Sequence, residues 1–295
     1  MTPSPVALPA TEVHPLTSEI TGERFELWIG RPQAGWASRA GDPPRLLYLL
    51  DANLFFGMAV EMTRLMHVLF GELPRILVVG VAYPGADPAT QSRLRTGHFT
   101  PSEDPLFAEA ARAFAPEGAP PPPPPPMGGA DDFLAFLVDQ VDPWVRGRFE
   151  VAHAGSTLFG TSLGGHFAVH TLLTRPGFVD GIIAGSPSLW WNEDETLHRI
   201  EALAPGGPPG EPGPGVFIPV GSGEESPDVP SLSRYRLVTN ARRLAKLLAE
   251  GRVPCRTSAL EIIQGETHTS VVPSALTRGL RALLSGDQGP GIGRR

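Results

Sequence analysis

A serine flanked by glycines joins an apolar run to a helical pattern at residues 158–166, LFGTSLGGH. The Gly-x-Ser-x-Gly spacing is typical of a tight strand-to-helix turn, because side chains at Gly160 and Gly164 would collide with neighbouring backbone. A helix N-cap serine gives a similar pattern, but the strand before Ser162 and the doubled glycine behind it favour a nucleophile. The turn would also bring the Leu163 N–H to the same space, as a donor to an oxyanion.

Strand and helix patterns alternate along the chain, which predicts an α/β fold with a mostly parallel central sheet and helices on both faces. Several of the strand-like runs are almost entirely apolar, as is typical of strands covered on both sides. We predict strands over residues 24–30, 45–50, 76–82, 157–160, 181–184, 216–220 and 256–263, and helices over 57–69, 131–146, 163–174, 232–250 and 274–284.

Two segments rich in proline and glycine interrupt the alternation, near residues 101–130 and 204–215. The first contains seven consecutive prolines, Pro120 to Pro126, which lack backbone N–H donors and suit a solvated loop. The alternation resumes after each segment without a second core. We therefore predict one α/β-hydrolase domain over residues 1–295, with these two loop excursions and flexible termini.

Charge and composition limit the partners. The net charge of −7 argues against general binding to nucleic acid or anionic membranes. The only cysteine, Cys255, cannot form an internal disulfide, the start lacks a signal-peptide pattern, and the apolar runs are too short to span a membrane. We expect a cytoplasmic monomer or homodimer that acts on a small molecule.

A serine nucleophile needs a base, and His268 is the best placed of the eight histidines. It lies between the last predicted strand and the last predicted helix, where an α/β-hydrolase carries its base. His166 lies in the first helical turn behind Ser162, and we expect it at the edge of the pocket or in packing.

The acid that orients the base should follow the predicted strand 216–220. Three carboxylates lie there, and the residues alone leave the choice open. Glu224 is the first that can turn back over the sheet edge, Glu225 would point to the opposite side of an extended backbone, and Asp228 lies beyond a proline. Glu266, two residues before His268, is expected to brace its own loop.

Four segments carry a family resemblance that spans almost the whole chain. They are YLLDAN at 48–53, LFGTSLGGHFAVH at 158–170, SPSLWWNE at 186–193 and GETHTSVVPSALTRGLRALL at 265–284. Together they resemble the putative-esterase family of α/β-hydrolases, in particular its ferric-siderophore trilactone esterases, which act on enterobactin, salmochelin or bacillibactin.

The resemblance implies roles at matching positions. Ser162 matches the nucleophile, His268 the base and, approximately, Glu224 the acid. Asn53 matches a second oxyanion donor, through its backbone N–H beside that of Leu163, although the family's DG turn reads DA here.

Other residues are candidates for substrate binding. Trp190 and Trp191 follow a predicted strand at its carboxyl end, and either pack in the core or hold aromatic rings of a substrate. Arg93 and Arg95 either pair with an anionic iron–catecholate group or lie in a solvated loop.

The predicted function is that of a serine esterase, which hydrolyses carboxylic ester or lactone bonds through an acyl-serine intermediate. A ferric-siderophore trilactone is the suggested substrate, and it would bring its own iron. We expect no metal or organic cofactor. The alternatives are a broad carboxylesterase or acyltransferase acting on another acyl group, and a binding protein on the same scaffold without turnover.

Overall fold

A mostly parallel sheet organises the protein. The computed structural model describes residues 6–34, 42–85, 87–113, 125–206, 213–227 and 233–284. Their strands form an eight-stranded sheet in the order β1-β2-β4-β3-β5-β6-β7-β8. β2 pairs antiparallel with β1 and β4, and the remaining pairs are parallel. The strands are β1 Thr11–Thr17, β2 Arg24–Gly30, β3 Arg45–Leu49, β4 Ile76–Ala82, β5 Thr157–Thr161, β6 Gly181–Gly185, β7 Gly215–Gly221 and β8 Thr257–Ile263.

The seven predicted strands are confirmed, with ends that shift by one residue at most. The edge strand β1 was not predicted, because its sequence TEVHPLT mixes polar and apolar residues and contains Pro15. Proline is tolerated in a sheet mainly on edge strands, since it has no N–H to donate.

Helices cover both faces of the sheet. They are α1 Ala52–Val68, α2 Pro88–Phe99, α3 Pro105–Ala113, α4 Ala130–Phe136, α5 Asp142–Arg146, α6 Leu163–Thr174, α7 Trp191–Glu201, α8 Leu237–Ala249 and α9 Val271–Leu284. A π-helical segment, Leu137–Val141, joins α4 to α5, and a 3₁₀ turn, Ser222–Glu225, follows β7.

The helix predictions need corrections of two kinds. The helices predicted over 57–69, 232–250 and 274–284 begin instead at residues 52, 237 and 271. The helices α2, α3 and α7 were not predicted, and α3 lies inside the segment 101–130 that we expected to be a loop. Residues 120–124 of the proline run and residues 207–212 of the second loop lie outside the described residues. Within the described ranges, no helix combines the length and apolar character that a membrane span requires.

Two apolar layers fix the sheet between its helices. Residues of α1 and α9 pack on one face, against side chains such as Leu47 and Phe159. Residues of α4, α6 and α8 pack on the other face, against side chains such as Tyr48 and Leu158. Each fully buried leucine or phenylalanine contributes about 1.5–3 kcal/mol to folding. The layers hold the parallel strands so that the loops after β3, β5, β7 and β8 meet at one edge.

Candidate active site

Ser162 lies between β5 and α6 in a strained backbone conformation. Its φ of 59° and ψ of −121° are rare for a residue with a side chain and store about 1–3 kcal/mol. The surrounding backbone holds it there, since its N–H donates to the Gly185 carbonyl at 2.9 Å and its carbonyl accepts from the Ser188 N–H at 3.0 Å. Such strain, held by neighbouring strands, is typical of a nucleophile turn.

Two glycines, Gly160 and Gly165, make this turn possible. The Gly-x-Ser-x-Gly spacing indicated the first of them but named Gly164 as the second. A Cβ at Gly160 would lie 2.2 Å from the Gly164 carbonyl oxygen, and one at Gly165 would lie 2.5 Å from the Gly185 carbonyl oxygen. A Cβ at Gly164 would approach no atom closer than 3.4 Å. The predicted steric reason therefore holds for Gly160 and is wrong for Gly164, and Gly165 is the second required glycine.

The two predicted oxyanion donors each lie at the start of a helix. Leu163 is the first residue of α6 and Asn53 the second residue of α1. The first N–H groups of a helix have no intrahelical acceptor, and the helix dipole favours negative charge near them. Asn53 lines the same cavity as Ser162. These amides could therefore hold an oxyanion.

The turn before α1 accommodates alanine because the left-handed residue is Asp51, with a φ of 53°, and not Ala52. The Asn53 side chain anchors the turn. Its Nδ2 donates to the Tyr83 carbonyl at 3.0 Å and its Oδ1 accepts from the Tyr83 N–H at 2.8 Å. Arg95 completes the anchor by donating from Nε and Nη2 to the two Asp51 carboxylate oxygens, each at 2.8 Å.

A buried carboxylate orients His268. The Nδ1 of His268 donates to Glu224 Oε2 at 2.6 Å, and the Glu224 side chain is 0% exposed. Glu224 belongs to the 3₁₀ turn directly after β7, which returns its side chain toward the loop after β8. With Nδ1 committed as a donor, Nε2 is left as the acceptor of a proton, which is what a general base requires.

The other carboxylates near His268 have different partners. Glu225 accepts from the Thr239 N–H at 2.7 Å and from the Thr239 hydroxyl at 2.5 Å, so it holds the first turn of α8. Glu266 accepts from the Ser270 hydroxyl within its own loop. Asp228 lies outside the described residues. Of the described candidates, the structure brings Glu224 to the histidine.

A cavity of about 570 Å³ contains both Ser162 and His268 in its wall. The Ser162 hydroxyl lies 3.4 Å from the Ser188 hydroxyl. The cavity is lined by Asp51, Asn53, Leu54, Phe55, Tyr83, Pro88, Gln91, Ser92, Arg95, Thr161, Ser162, His268, Thr269 and Val272.

The tryptophans that follow β6 do not line this cavity. Trp191 is 1% exposed, and its indole N–H donates to the Ser102 carbonyl at 3.0 Å, so it is a core residue. Trp190 is partly buried, with its ring centroid 4.5 Å from that of Tyr235. Of the two roles that we considered for this pair, packing fits the structure better than substrate binding, because neither tryptophan lines the cavity.

His166 and Arg93 also lie away from the cavity. His166 is 1% exposed, and its Nε2 lies 2.7 Å from the Thr196 hydroxyl. Burial, with smaller effects of His170 and Arg199, lowers the pKa of His166 to about 3, so it remains neutral. Of the two positions expected for His166, the structure shows the one in packing and not the one at the pocket edge, because α6 turns this residue into the core.

Arg93 is exposed on α2, and the arginine that reaches the cavity is Arg95. Sequence reasoning missed the contribution of α2 to the wall through Pro88, Gln91 and Ser92. One signal could have revealed this helix. Asp87 caps it by accepting from the Thr90 N–H at 2.9 Å, with Pro88 in the first turn, and Asp-Pro-x-Thr is a typical helix start.

The strand order, the helices on both faces and the position of Ser162 between β5 and α6 are those of an α/β-hydrolase. Comparison with known proteins agrees. Residues 110–256 match a family described as "Putative esterase". The chain is 30% identical to a ferri-bacillibactin esterase of Bacillus subtilis over 95% of this chain and 91% of that protein.

Two further comparisons extend the likeness. A siderophore triacetylfusarinine C esterase of Aspergillus fumigatus is 29% identical over 94% of each chain. The solved structure of the siderophore hydrolase EstB from Aspergillus nidulans has a TM-score of 0.76 and 27% identity, covering 99% of this chain and 100% of that one. The chain belongs to the esterase family that its segments resemble, and it is a carboxylic-ester hydrolase.

Proposed function

We propose that the protein cleaves the ester bonds of a siderophore through an acyl-serine intermediate, with Ser162 as nucleophile, His268 as base and Glu224 as acid. The observation that carries this proposal is the hydrogen bond of 2.6 Å between the buried Glu224 and His268, at the wall of the cavity that contains Ser162. The names of the relatives support the substrate class, since they are esterases of ferri-bacillibactin and of triacetylfusarinine C.

In the acylation step, the Ser162 hydroxyl oxygen attacks the ester carbonyl carbon while His268 Nε2 takes the hydroxyl proton. Glu224 holds the imidazole in the required tautomer and stabilises the imidazolium that forms. The amides of Leu163 and Asn53 donate to the oxyanion of the tetrahedral intermediate. The C–O bond to the alcohol then breaks, and His268 gives its proton to the departing alkoxide.

In the deacylation step, water takes the place of the alcohol. His268 Nε2 removes a proton from the water as its oxygen attacks the acyl carbon. The second tetrahedral intermediate uses the same two amides, and its collapse returns the proton to the Ser162 oxygen. Each turnover thus converts one ester bond and one water into a hydroxyl group and a carboxylic acid group, and the residues return to their starting protonation.

The charges around the cavity bear on the kind of siderophore. Arg95 lines the cavity, but its guanidinium is paired with Asp51 through two hydrogen bonds of 2.8 Å. A ferric tricatecholate carries a net charge of about −3, whereas a ferric trihydroxamate is neutral, and an anion gains most from a cation that has no partner. The charge of the cavity wall therefore suits an ester of a neutral hydroxamate complex at least as well as a trianionic catecholate lactone.

The test compares five substrates by chromatography of their products. These are a ferric trihydroxamate ester, a ferric tricatecholate trilactone, the iron-free form of each, and p-nitrophenyl acetate as a general ester. Ser162→Ala is the control for each reaction. We expect kcat/KM for at least one siderophore to exceed that for the aryl ester by 10-fold or more.

Three outcomes would contradict the proposal. If the aryl ester is the better substrate, the protein is a broad carboxylesterase. If Ser162→Ala retains turnover, the nucleophile is another residue. Transfer of the acyl group to an added alcohol, in preference to water, would indicate an acyltransferase.

A further inference from the structure

Ser186 lies directly after β6 and contacts the carboxylate that orients His268. Its hydroxyl donates to Glu224 Oε1 at 2.6 Å, and the Gly221 N–H donates to the same oxygen at 2.6 Å. The other oxygen, Oε2, accepts from His268. Ser186 and Glu224 are both 0% exposed, so this contact is shielded from bulk solvent.

The backbone of Ser186 is unusual for a serine. Its φ is 38°, in the left-handed region that glycine adopts most easily. Its N–H donates to the Pro219 carbonyl at 2.8 Å, which ties the turn to the neighbouring strand β7. Glycine would relieve the backbone strain at this position, but it would remove the hydroxyl. A side chain in such a conformation suggests that the hydroxyl has a role.

We infer that Ser186 is a positioning residue for the proposed catalytic triad, and this inference rests on the proposed function. By donating to Oε1, Ser186 fixes the rotation of the Glu224 carboxylate so that Oε2 faces His268 Nδ1. Hydrogen bonds to an ionised carboxylate are stronger than those between neutral groups. Without the hydroxyl, Oε1 keeps only the Gly221 amide, and the carboxylate holds the histidine less firmly.

A second buried serine offers a matched control. The Ser156 hydroxyl donates to Asp180 Oδ2 at 3.1 Å, and the N–H groups of Gly155 and Ser156 donate to the same oxygen. Ser156 precedes β5 and Asp180 precedes β6, so this cluster lies at the opposite edge of the sheet from Ser162. It shares the serine–carboxylate chemistry but not the histidine.

The experiment compares Ser186→Ala, Ser186→Gly and Ser156→Ala with the wild-type protein on p-nitrophenyl acetate. A lost hydrogen bond to a charged group corresponds to a rate effect of about 10- to 100-fold. We expect both Ser186 variants to lower kcat by that factor with KM unchanged, because the hydroxyl contacts the carboxylate and not the substrate. Ser156→Ala should lower the denaturation midpoint while kcat stays within about twofold.

The glycine variant separates the two possible roles of Ser186. If Ser186 only supported the fold, Ser186→Gly would match the wild-type kcat, and this result in a folded protein would overturn the inference. A second test adds Ser186→Ala to Glu224→Gln, where we expect no further loss of kcat. A multiplicative loss there would also overturn it. Wild-type turnover in Ser162→Ala would instead reject the proposed function itself, which distinguishes the two failures.

Discussion

The nucleophile turn (residues 160–165) and the histidine loop (residues 264–270) meet at one cavity, but they are held in opposite ways. The nucleophile turn joins a strand with every residue buried to a helix whose first ten residues are buried. In the histidine loop, residues 264, 265, 267, 269 and 270 are exposed and the other two are half-buried.

The contacts within the two regions differ accordingly. Packing fixes the nucleophile turn, because backbone approaches at Gly160 and Gly165 leave no room for a Cβ. Side-chain hydrogen bonds fix the histidine loop. The Gly265 N–H donates to the Ser222 hydroxyl at 2.9 Å, and the Thr267 N–H donates to the Ser270 hydroxyl at 2.9 Å. Segments with few buried apolar contacts open locally more easily than core elements, so the histidine depends on Glu224 for its position.

The largest expected effect comes from removing either reacting group. Ser162→Ala and His268→Ala should each lower kcat by about 10⁴-fold or more, and the double variant should be little worse, because the two side chains act as a unit. Steady-state rates and phosphonate labelling of the intact protein measure this. Labelling of a residue other than Ser162, or multiplicative losses in the double variant, would show that the two regions do not cooperate as proposed.

The next effect tests the dependence of the histidine loop on its carboxylate. Glu224→Gln should lower kcat by roughly 10³- to 10⁴-fold, because the amide cannot stabilise the imidazolium. Labelling of Ser162 by a small phosphonate should show that the fold and the cavity are intact.

Glu225→Gln is the matched control for this change. It removes an acceptor at the first turn of α8 and should reduce stability by about 1 kcal/mol while kcat stays near the wild-type value. If Glu225→Gln is the crippling change, the acid has been assigned to the wrong residue. If neither matters, the enzyme works with a serine–histidine pair.

A third effect tests the packing of the nucleophile turn. Gly160→Ala places a methyl group 2.2 Å from the Gly164 carbonyl oxygen and should lower the free energy of unfolding by about 3 kcal/mol or more. Gly164→Ala, whose methyl group meets nothing closer than 3.4 Å, should change it by less than about 1 kcal/mol. Urea denaturation measures both, and equal losses would show that packing does not distinguish these glycines.

The fold was predictable because strands that are buried on both faces produce long apolar runs, and a strained serine turn needs glycine at fixed positions. Two of the unpredicted helices, α2 and α7, lack comparable patterns. The polar helix α2 has little apolar periodicity, and α7 contains three consecutive left-handed residues, 192–194, with φ between 45° and 62°. The single-domain organisation, oligomeric state and cellular location stay predictions.

The site was predictable in part. The sequence indicates Ser162 and His268 as candidates because each lies at a strand–helix junction. It left the acid open because the choice between Glu224 and Glu225 depends on a 3₁₀ turn that reverses the chain after β7. It could not indicate Ser186, since that contact joins residues 38 positions apart. Nor could it show that Trp191 and His166 turn into the core, because burial is set by how α6 and α7 pack.

The smallest expected effect is the contribution of His166, which is buried in α6 behind Ser162, to the pH dependence of folding stability. Its sign follows from the burial of the side chain. The folded-state pKa of His166 is lowered to about 3, mainly by burial, from an ordinary value of 6.5. The unfolded chain therefore binds a proton at His166 between these values, and the folded protein does not. The contribution of His166 to the folding stability is therefore fully present well above pH 6.5 and is lost as the pH falls, by up to about 1.4 kcal/mol per pH unit. Between pH 7 and pH 5, His166 should account for a loss of about 2 kcal/mol.

Urea denaturation of the wild-type protein and His166→Gln at these two pH values isolates this contribution. The variant should be less stable at pH 7, because glutamine fits the buried site poorly, but it should lose about 2 kcal/mol less on acidification. The exposed His153 provides the control, and His153→Gln should follow the wild-type curve. An equal decline in all three proteins would mean that His166 does not stay neutral in the folded state, and that the helix behind Ser162 is more open to solvent than its packing indicates.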